Sequence, residues 1–275
     1  MNIVNIESLE SPELDVYSRL TESQLRNRLE PEKGVFIAES LKVVRIALEN
    51  GFEPLSFLAE RKYVNEQIVP LVDGIIDVPV YTGSRELLSQ LTGYELSRGF
   101  LCAMRRPQLP SFSDVCHGCR RIAVLDGVVN STNTGAIFRA ATALGIEALL
   151  LTPTCCDPFN RRSVRVSMGT VFQMPWTYTD AESGVSFYDV QQRLRQLGFA
   201  TVALALNDNA IAIDNPVLQN IDRLAIIMGT EGDGLDKDTI EVCDYVAKIP
   251  MQRGVDSLNV AAAASVAFWQ LRPRD

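Results

Sequence analysis

Histidine is almost missing from this sequence: His117 is the only one in 275 residues. It lies in a stretch of prolines and serines, and no Gly-x-Ser-x-Gly elbow occurs anywhere in the chain. Serine-hydrolase chemistry and a histidine general base are therefore disfavoured. Any catalysis falls to arginine, carboxylates, serine, asparagine or backbone groups. Long apolar runs are also lacking; none approaches the roughly 18 residues that a bilayer crossing needs, so no membrane role is expected. The N-terminal MNIVNIESLESPELD has no basic-then-apolar order of a secretory signal, and a cytoplasmic protein is expected. With no export signal, the six cysteines read as free thiols. Cys116-His117-Gly118-Cys119 looks like half a zinc site, but the chain offers no second pair at finger spacing, so no metal is expected.

Acidic residues outnumber basic ones, 34 to 26, for a net charge of −8. A protein coated in nucleic acid would carry the opposite balance, so the placement of the cations matters more than their total. They cluster at Arg61-Lys62, Arg105-Arg106, Arg120-Arg121 and Arg161-Arg162 with Arg165. Each cluster alone reads as solvated surface; several on one face would form a phosphate track.

Hydrophobic residues make up 47% of the chain and charged ones 22%, the composition of a soluble globular protein. The length suggests two domains. In the first block, Gly34–Ala38 reads as a strand and Ser40–Asn50 as a helix ended by Gly51. Strand-like runs follow at Leu55–Leu58, Val78–Tyr81 and Phe100–Met104. Residues 105–119, with two prolines and little periodicity, read as a linker. The second block opens with a buried strand, Ile122–Leu125, and a helix over about Gly135 to Leu144. Further strands are expected at Ala148–Leu151, Thr201–Leu206, Leu224–Met228 and Val246–Ile249. Short apolar strands alternating with helices indicate a mostly parallel sheet covered on both faces.

Three loops in this block carry chemistry. In Asn130-Ser-Thr-Asn133-Thr-Gly135-Ala-Ile-Phe-Arg139, Gly135 permits close backbone approach, Asn133 can cap the helix, and Arg139 falls about one turn in. An ordinary capped turn with a surface arginine would look the same. In Met228-Gly-Thr-Glu231-Gly-Asp-Gly234-Leu235, three glycines follow a strand where parallel sheets bind ligands. The spacing is not that of a Rossmann fingerprint, and Leu235 stands where a Walker lysine would be. Glu231 looks buried. The third loop runs from Ile249-Pro-Met251 to Asp256-Ser257-Leu258-Asn259-Val260, where Asp256 or Ser257 can cap the last helix. That helix is apolar nearly all round and must be buried, as a central core helix or as a homodimer interface.

Together the three loops resemble the three motifs of the SpoU (TrmH-type) branch of the SPOUT RNA methyltransferases: Asn133-x-Gly135-x-x-x-Arg139, then Gly229-x-Glu231-Gly232-x-Gly234-Leu235, then Ile249-Pro-Met with Ser257-Leu258-Asn259-Val260. Ser167-Met-Gly169 through Pro175 is similar to the stretch between the first two. More loosely, Glu39-Ser40-Leu41-Lys42-Val43-Val44 with Ala47-Leu48, and Gly93 before Ser97-Arg98-Gly99-Phe100-Leu101, resemble the family's N-terminal RNA-binding domain. The chain departs from the family pattern at Asn130-Ser131, where Asp-Pro is common, and at Thr230, where Asn or Ala is common.

The resemblance implies an α/β protein with a trefoil-knotted parallel-sheet (SPOUT) domain over 120–275 and a smaller α/β substrate-binding domain over 19–104. Residues 1–18 would then be an extension. It implies transfer of a methyl group from S-adenosylmethionine to a ribose 2′-OH of structured RNA, ribosomal RNA before transfer RNA, by a homodimer whose active sites draw on both subunits. A non-catalytic RNA-binding factor on the same fold is the alternative, and a nucleotide-binding enzyme lacks its lysine. By the same resemblance, Gly229, Ile249 and Leu258, with Met228, Gly234 and Met251, contact the cofactor. Arg139 lowers the hydroxyl's pKa, and Asn133, Glu231, Ser257 and Asn259 orient the ribose and hold the loops.

Overall fold

In the computed structural model, which describes residues 2–8, 10–72, 78–92, 100–179, 186–207 and 209–273, the chain folds as two units. The first comprises Met1–Gln108 and Phe159–Phe172, the second Leu109–Pro158 and Gln173–Asp275. Among the described residues, no helix is long and apolar enough to cross a membrane.

The first unit holds strands β1 (Asn2–Asn5), β2 (Val35–Glu39), β3 (Pro54–Glu60), β4 (Pro79–Gly83) and β5 (Phe100–Arg105), in the order β1-β4-β3-β5-β2. β1, β4 and β3 run parallel, and β5 lies antiparallel to β3 and β2. Successive side chains of a strand point to opposite faces, so β2 sends Phe36 one way and Ile37 the other. Ile37 joins Leu58 and Leu101 in a core closed by Leu14, Tyr17 and Leu25. The Tyr17 hydroxyl lies 2.7 Å from Ser56 Oγ and accepts from the Ala103 amide at 3.3 Å. Residues expected to be an extension thus cover one face of the sheet.

Phe36 stacks on Phe159 with ring centroids 4.8 Å apart, and Phe52 and Phe172 complete the aromatic cluster. The segment bounded by Phe159 and Phe172 includes helix α4 (Arg161–Ser167), so a piece of chain from within the expected 120–275 domain belongs to the first unit. Gly169, at φ +90°, shows why the turn after α4 needs glycine. A Cβ there would sit 3.1 Å from Ile46 of helix α1 (Leu41–Glu49). Gly93 and Ser97-Arg98-Gly99 lie outside the described residues, whereas Phe100 and Leu101 open β5.

The second unit is built on β6 (Arg121–Leu125), β7 (Ala148–Leu151), β8 (Trp176–Tyr178), β9 (Ala200–Leu204), β10 (Ile211–Ala212), β11 (Leu224–Met228) and β12 (Tyr245–Lys248). Their order is β10-β12-β9-β11-β6-β7-β8, and every pairing is parallel. Its strands are apolar throughout, as a sheet covered on both faces requires.

The expected linker is not one. Ser111 caps a short helix, α2 (Phe112–Cys116), which buries Phe112, Val115 and Cys116 against Ile122, Leu150 and Leu194, the last from helix α5 (Phe187–Gln196). Arg223 donates to the carbonyls of Cys116 and Cys119 at 3.0 and 2.9 Å. The Cys116–Cys119 turn is therefore held by packing and backbone hydrogen bonds. Burial pushes the Cys116 thiol up to about 12.

Arg121, expected on the surface, is 2% exposed. Its guanidinium donates to the carbonyls of Ile221, Asp222 and Leu271, each at 2.7 Å. Leu271 ends the last helix, α6 (Val260–Leu271), so the buried cation sits where unpaired helix carbonyls collect.

Candidate active site

Strands β12, β9 and β11 are neighbours in one parallel sheet, so their carboxyl ends arrive side by side. The chain beyond them encloses a cavity of about 660 Å³. Leu204, Ala205 and Leu206 come from the end of β9, Met228 through Leu235 from β11, and Lys248, Ile249 and Met251 from β12. Asp256 through Val260 close it.

The loop after β11 folds back on itself. Thr230 donates its amide and its hydroxyl to the Gly234 carbonyl, at 3.0 and 3.1 Å. A Cβ on Gly229 would lie 2.3 Å from the Gly234 carbonyl carbon, so only glycine fits where the two ends of the loop meet. Thr230, which departs from the family pattern, is what closes this loop.

Helix α3 (Ser131–Ala143) begins two residues before Asn133. The cap is Asn130, whose side chain accepts from the amides of Thr132 and Asn133 at 2.8 and 3.2 Å. The expectation that Asn133 caps the helix is corrected, with a consequence for the site. Released from capping, Asn133 donates Nδ2 to Glu231 Oε1 at 2.6 Å and accepts from Asn259 Nδ2 at 3.1 Å. The carboxylate fixes which end of the amide donates. Asn259 is itself the cap of α6, accepting from the Ala261 amide at 3.0 Å, so neither Asp256 nor Ser257 has that role. One nearly buried asparagine, 8% exposed, therefore ties all three loops together.

Of the residues singled out in the sequence, Met228, Gly229, Glu231, Gly234, Ile249, Met251, Ser257, Leu258 and Asn259 line the cavity. Asn133 stands just behind it, bonded to two of them. Glu231 is exposed rather than buried. Arg139 stands apart. Because α3 starts at Ser131, Arg139 lies in its third turn, about 9 Å along the axis from Asn133 at 1.5 Å per residue. It is exposed, does not line the cavity, and makes no hydrogen bond or ion pair with a described residue. Leu204, Ala205 and Leu206 were not foreseen as site residues. The signal was present in Thr201–Leu206, read as a strand: a parallel strand delivers its carboxyl end to the site, but only strand order shows which one.

Helix α6 buries Ala264, Ala267, Phe268 and Leu271 but leaves Val266 and Trp269 40% and 57% exposed. The expectation of a fully buried helix holds for one side of it within this chain.

The fold and site define an α/β protein with a ligand-sized cavity over the carboxyl edge of a parallel sheet, walled by glycine- and asparagine-bearing loops. The chain belongs to the SpoU rRNA methylase family, whose model matches residues 120–269. A tRNA/rRNA methyltransferase of Mycobacterium bovis is 34% identical over 264 residues, 95% of this chain and 88% of that one. The 23S rRNA (guanosine(2553)-2′-O)-methyltransferase RlmP of Bacillus subtilis is 26% identical, covering 79% of this chain and 88% of its own. The structure of AdoMet-bound rRNA methyltransferase from Sinorhizobium meliloti matches with a TM-score of 0.78 at 21% identity, covering 98% of this chain and 97% of that one.

Proposed function

We propose that this protein transfers a methyl group from S-adenosylmethionine to a ribose 2′-OH of structured RNA, with ribosomal RNA as the substrate class and the cytoplasm as its compartment. The observation that carries the reading is the Glu231–Asn133–Asn259 chain of hydrogen bonds, which draws the three family motifs around one cavity.

The cavity fits the cofactor. Its volume is in the range of small-molecule sites, and Leu204, Ile249 and Leu258 offer apolar wall to an adenine ring. Glu231, Asp233 and Asp256 face it with only Lys248 as a lining cation, a balance that suits a sulfonium. When bound, S-adenosylmethionine supplies an electrophilic methyl group. The chain's own part is to align the 2′-oxygen and stabilise the charge that grows on it. Asn133, Glu231, Ser257 and Asn259 hold the loops and orient the ribose, and Gly229, Gly234, Met228 and Met251 set the cofactor's bed.

Arg139 is the cation for the developing alkoxide. It lies outside its own chain's cavity, and α3 and α6 pack side by side with Val266 and Trp269 uncovered. A homodimer through this face covers both side chains and gives Arg139 a partner's site to serve. The same reading includes a trefoil knot formed by the loops after β11 and β12.

The test is methyl transfer from labelled S-adenosylmethionine to unmodified 23S ribosomal RNA, followed by nuclease digestion to detect 2′-O-methyl dinucleotides. Calorimetry with S-adenosylmethionine against ATP is run alongside. Cofactor binding with no transfer to ribosomal or transfer RNA would favour a binding factor instead. Preference for ATP would overturn the reading.

A further inference from the structure

Helix α4 carries three arginines and no acidic residue, in a protein whose net charge is −8. It is held firmly to the first unit. Phe159 and Phe172 anchor its two flanks in the aromatic cluster, and Ser163, Val164 and Ser167 form its buried side. The Asn160 side chain accepts from the Arg162 amide at 2.9 Å and caps it. Arg161 turns inward, with Nη2 3.6 Å from the buried Glu39 carboxylate.

Arg162 and Arg165 remain on the exposed side, three positions apart and so neighbours on the helix surface. Arg106 adds a fourth guanidinium to this region, 5.0 Å from the Phe159 ring. Burial lowers the Arg161 pKa, and the nearby Arg165 charge lowers it further, against the opposing effect of Glu39 and Glu22. Two like charges held this close on an anchored helix favour an anion outside it.

We propose that Arg162 and Arg165 form a phosphate-binding face for the RNA backbone, so that the first unit takes its substrate partly through a helix supplied from between two catalytic motifs. The proposal rests on the RNA methyltransferase reading and assigns part of its substrate contact. Phosphate contacts position a nucleic acid without reading its sequence, which suits a docking face remote in sequence from the catalytic loops.

The experiment uses the full-length protein with an unmodified 23S ribosomal RNA transcript, measuring binding across a range of KCl concentrations and methyl-transfer kinetics. The double variant R162A/R165A should lower the log–log salt slope by about 1.4 to 1.8, two phosphate contacts' worth. KM for RNA should rise about tenfold, with kcat at saturating RNA and S-adenosylmethionine affinity unchanged. R162K/R165K, which keeps the charge, should keep the wild-type slope. If the wild type methylates the transcript and R162A/R165A matches its slope and KM, the proposal fails and the functional reading stands. If the wild type neither binds nor methylates the RNA, both fail together.

Discussion

The side-chain amide of Asn259 donates to that of Asn133 at 3.1 Å, joining residues 126 positions apart in the chain. Each partner also caps or enters a helix start, so the bond aligns two helix termini and, through Glu231, the glycine-rich loop. A site assembled this way depends on one small side chain with both a donor and an acceptor.

Replacing Asn133 with alanine should therefore loosen all three loops at once. A hydrogen bond to a charged group contributes about 1.5–3 kcal/mol, so S-adenosylmethionine affinity should fall tenfold or more. Calorimetry measures it. Asn133→Asp should be worse than alanine at neutral pH, because it sets a carboxylate against Glu231; an aspartate variant with wild-type affinity would break this account.

Gly229→Ala should abolish cofactor binding while leaving the parallel sheet folded, since the new methyl meets the Gly234 carbonyl at 2.3 Å. Circular dichroism reads the fold and calorimetry the binding. Normal affinity would mean that the loop opens without cost.

Arg139→Ala should keep cofactor affinity and lower turnover about a hundredfold, the scale of a lost charge-stabilising donor. Single-turnover methyl transfer is the measurement. Near-wild-type transfer would remove Arg139 from the mechanism.

Arg121→Met should destabilise the second unit by about 3 kcal/mol or more, because three buried carbonyls lose a charged donor. A thermal melt and urea titration report it. An unchanged midpoint would show that solvent or other groups replace the guanidinium.

Cys116 and Cys243 should resist alkylation in the native protein at pH 8. Burial raises their thiols to about 12 and about 11, so the reactive thiolate is scarce at that pH. Iodoacetamide labelling read by mass spectrometry should modify them only as fast as the protein unfolds. Rapid native labelling would contradict the packed position of Cys116.

Much of the architecture was legible in residue patterns. Ala148–Leu151 and Leu224–Met228 are apolar runs with clear boundaries, and they are strands over those very residues. Gly51 ends α1 with a positive φ, as its place in the pattern requires. What local pattern missed had long-range causes. Residues 1–18 look like an extension because Leu14 and Tyr17 find partners only once β3 and β5 are paired. Phe112, Val115 and Cys116 look like a linker because their helix is short and its apolar face is defined by the sheet it covers. Arg121 looks like half of a surface pair because nothing local announces three carbonyls from 100 to 150 residues away.

By itself, the order of residues determined the apolar strands, the glycines that certain turns require, and the set of side chains able to make a histidine-free site. Those properties follow from near-neighbour sterics and hydrophobic period. Tertiary structure alone decided that Asn130 caps α3, so that Asn133 can reach across to Glu231 and Asn259. It also decided that β9 lends its end to the cavity and that α4 joins the first unit. Each of these depends on which backbone groups are already satisfied and which strands are adjacent, and neither is encoded within reach of a single turn of chain.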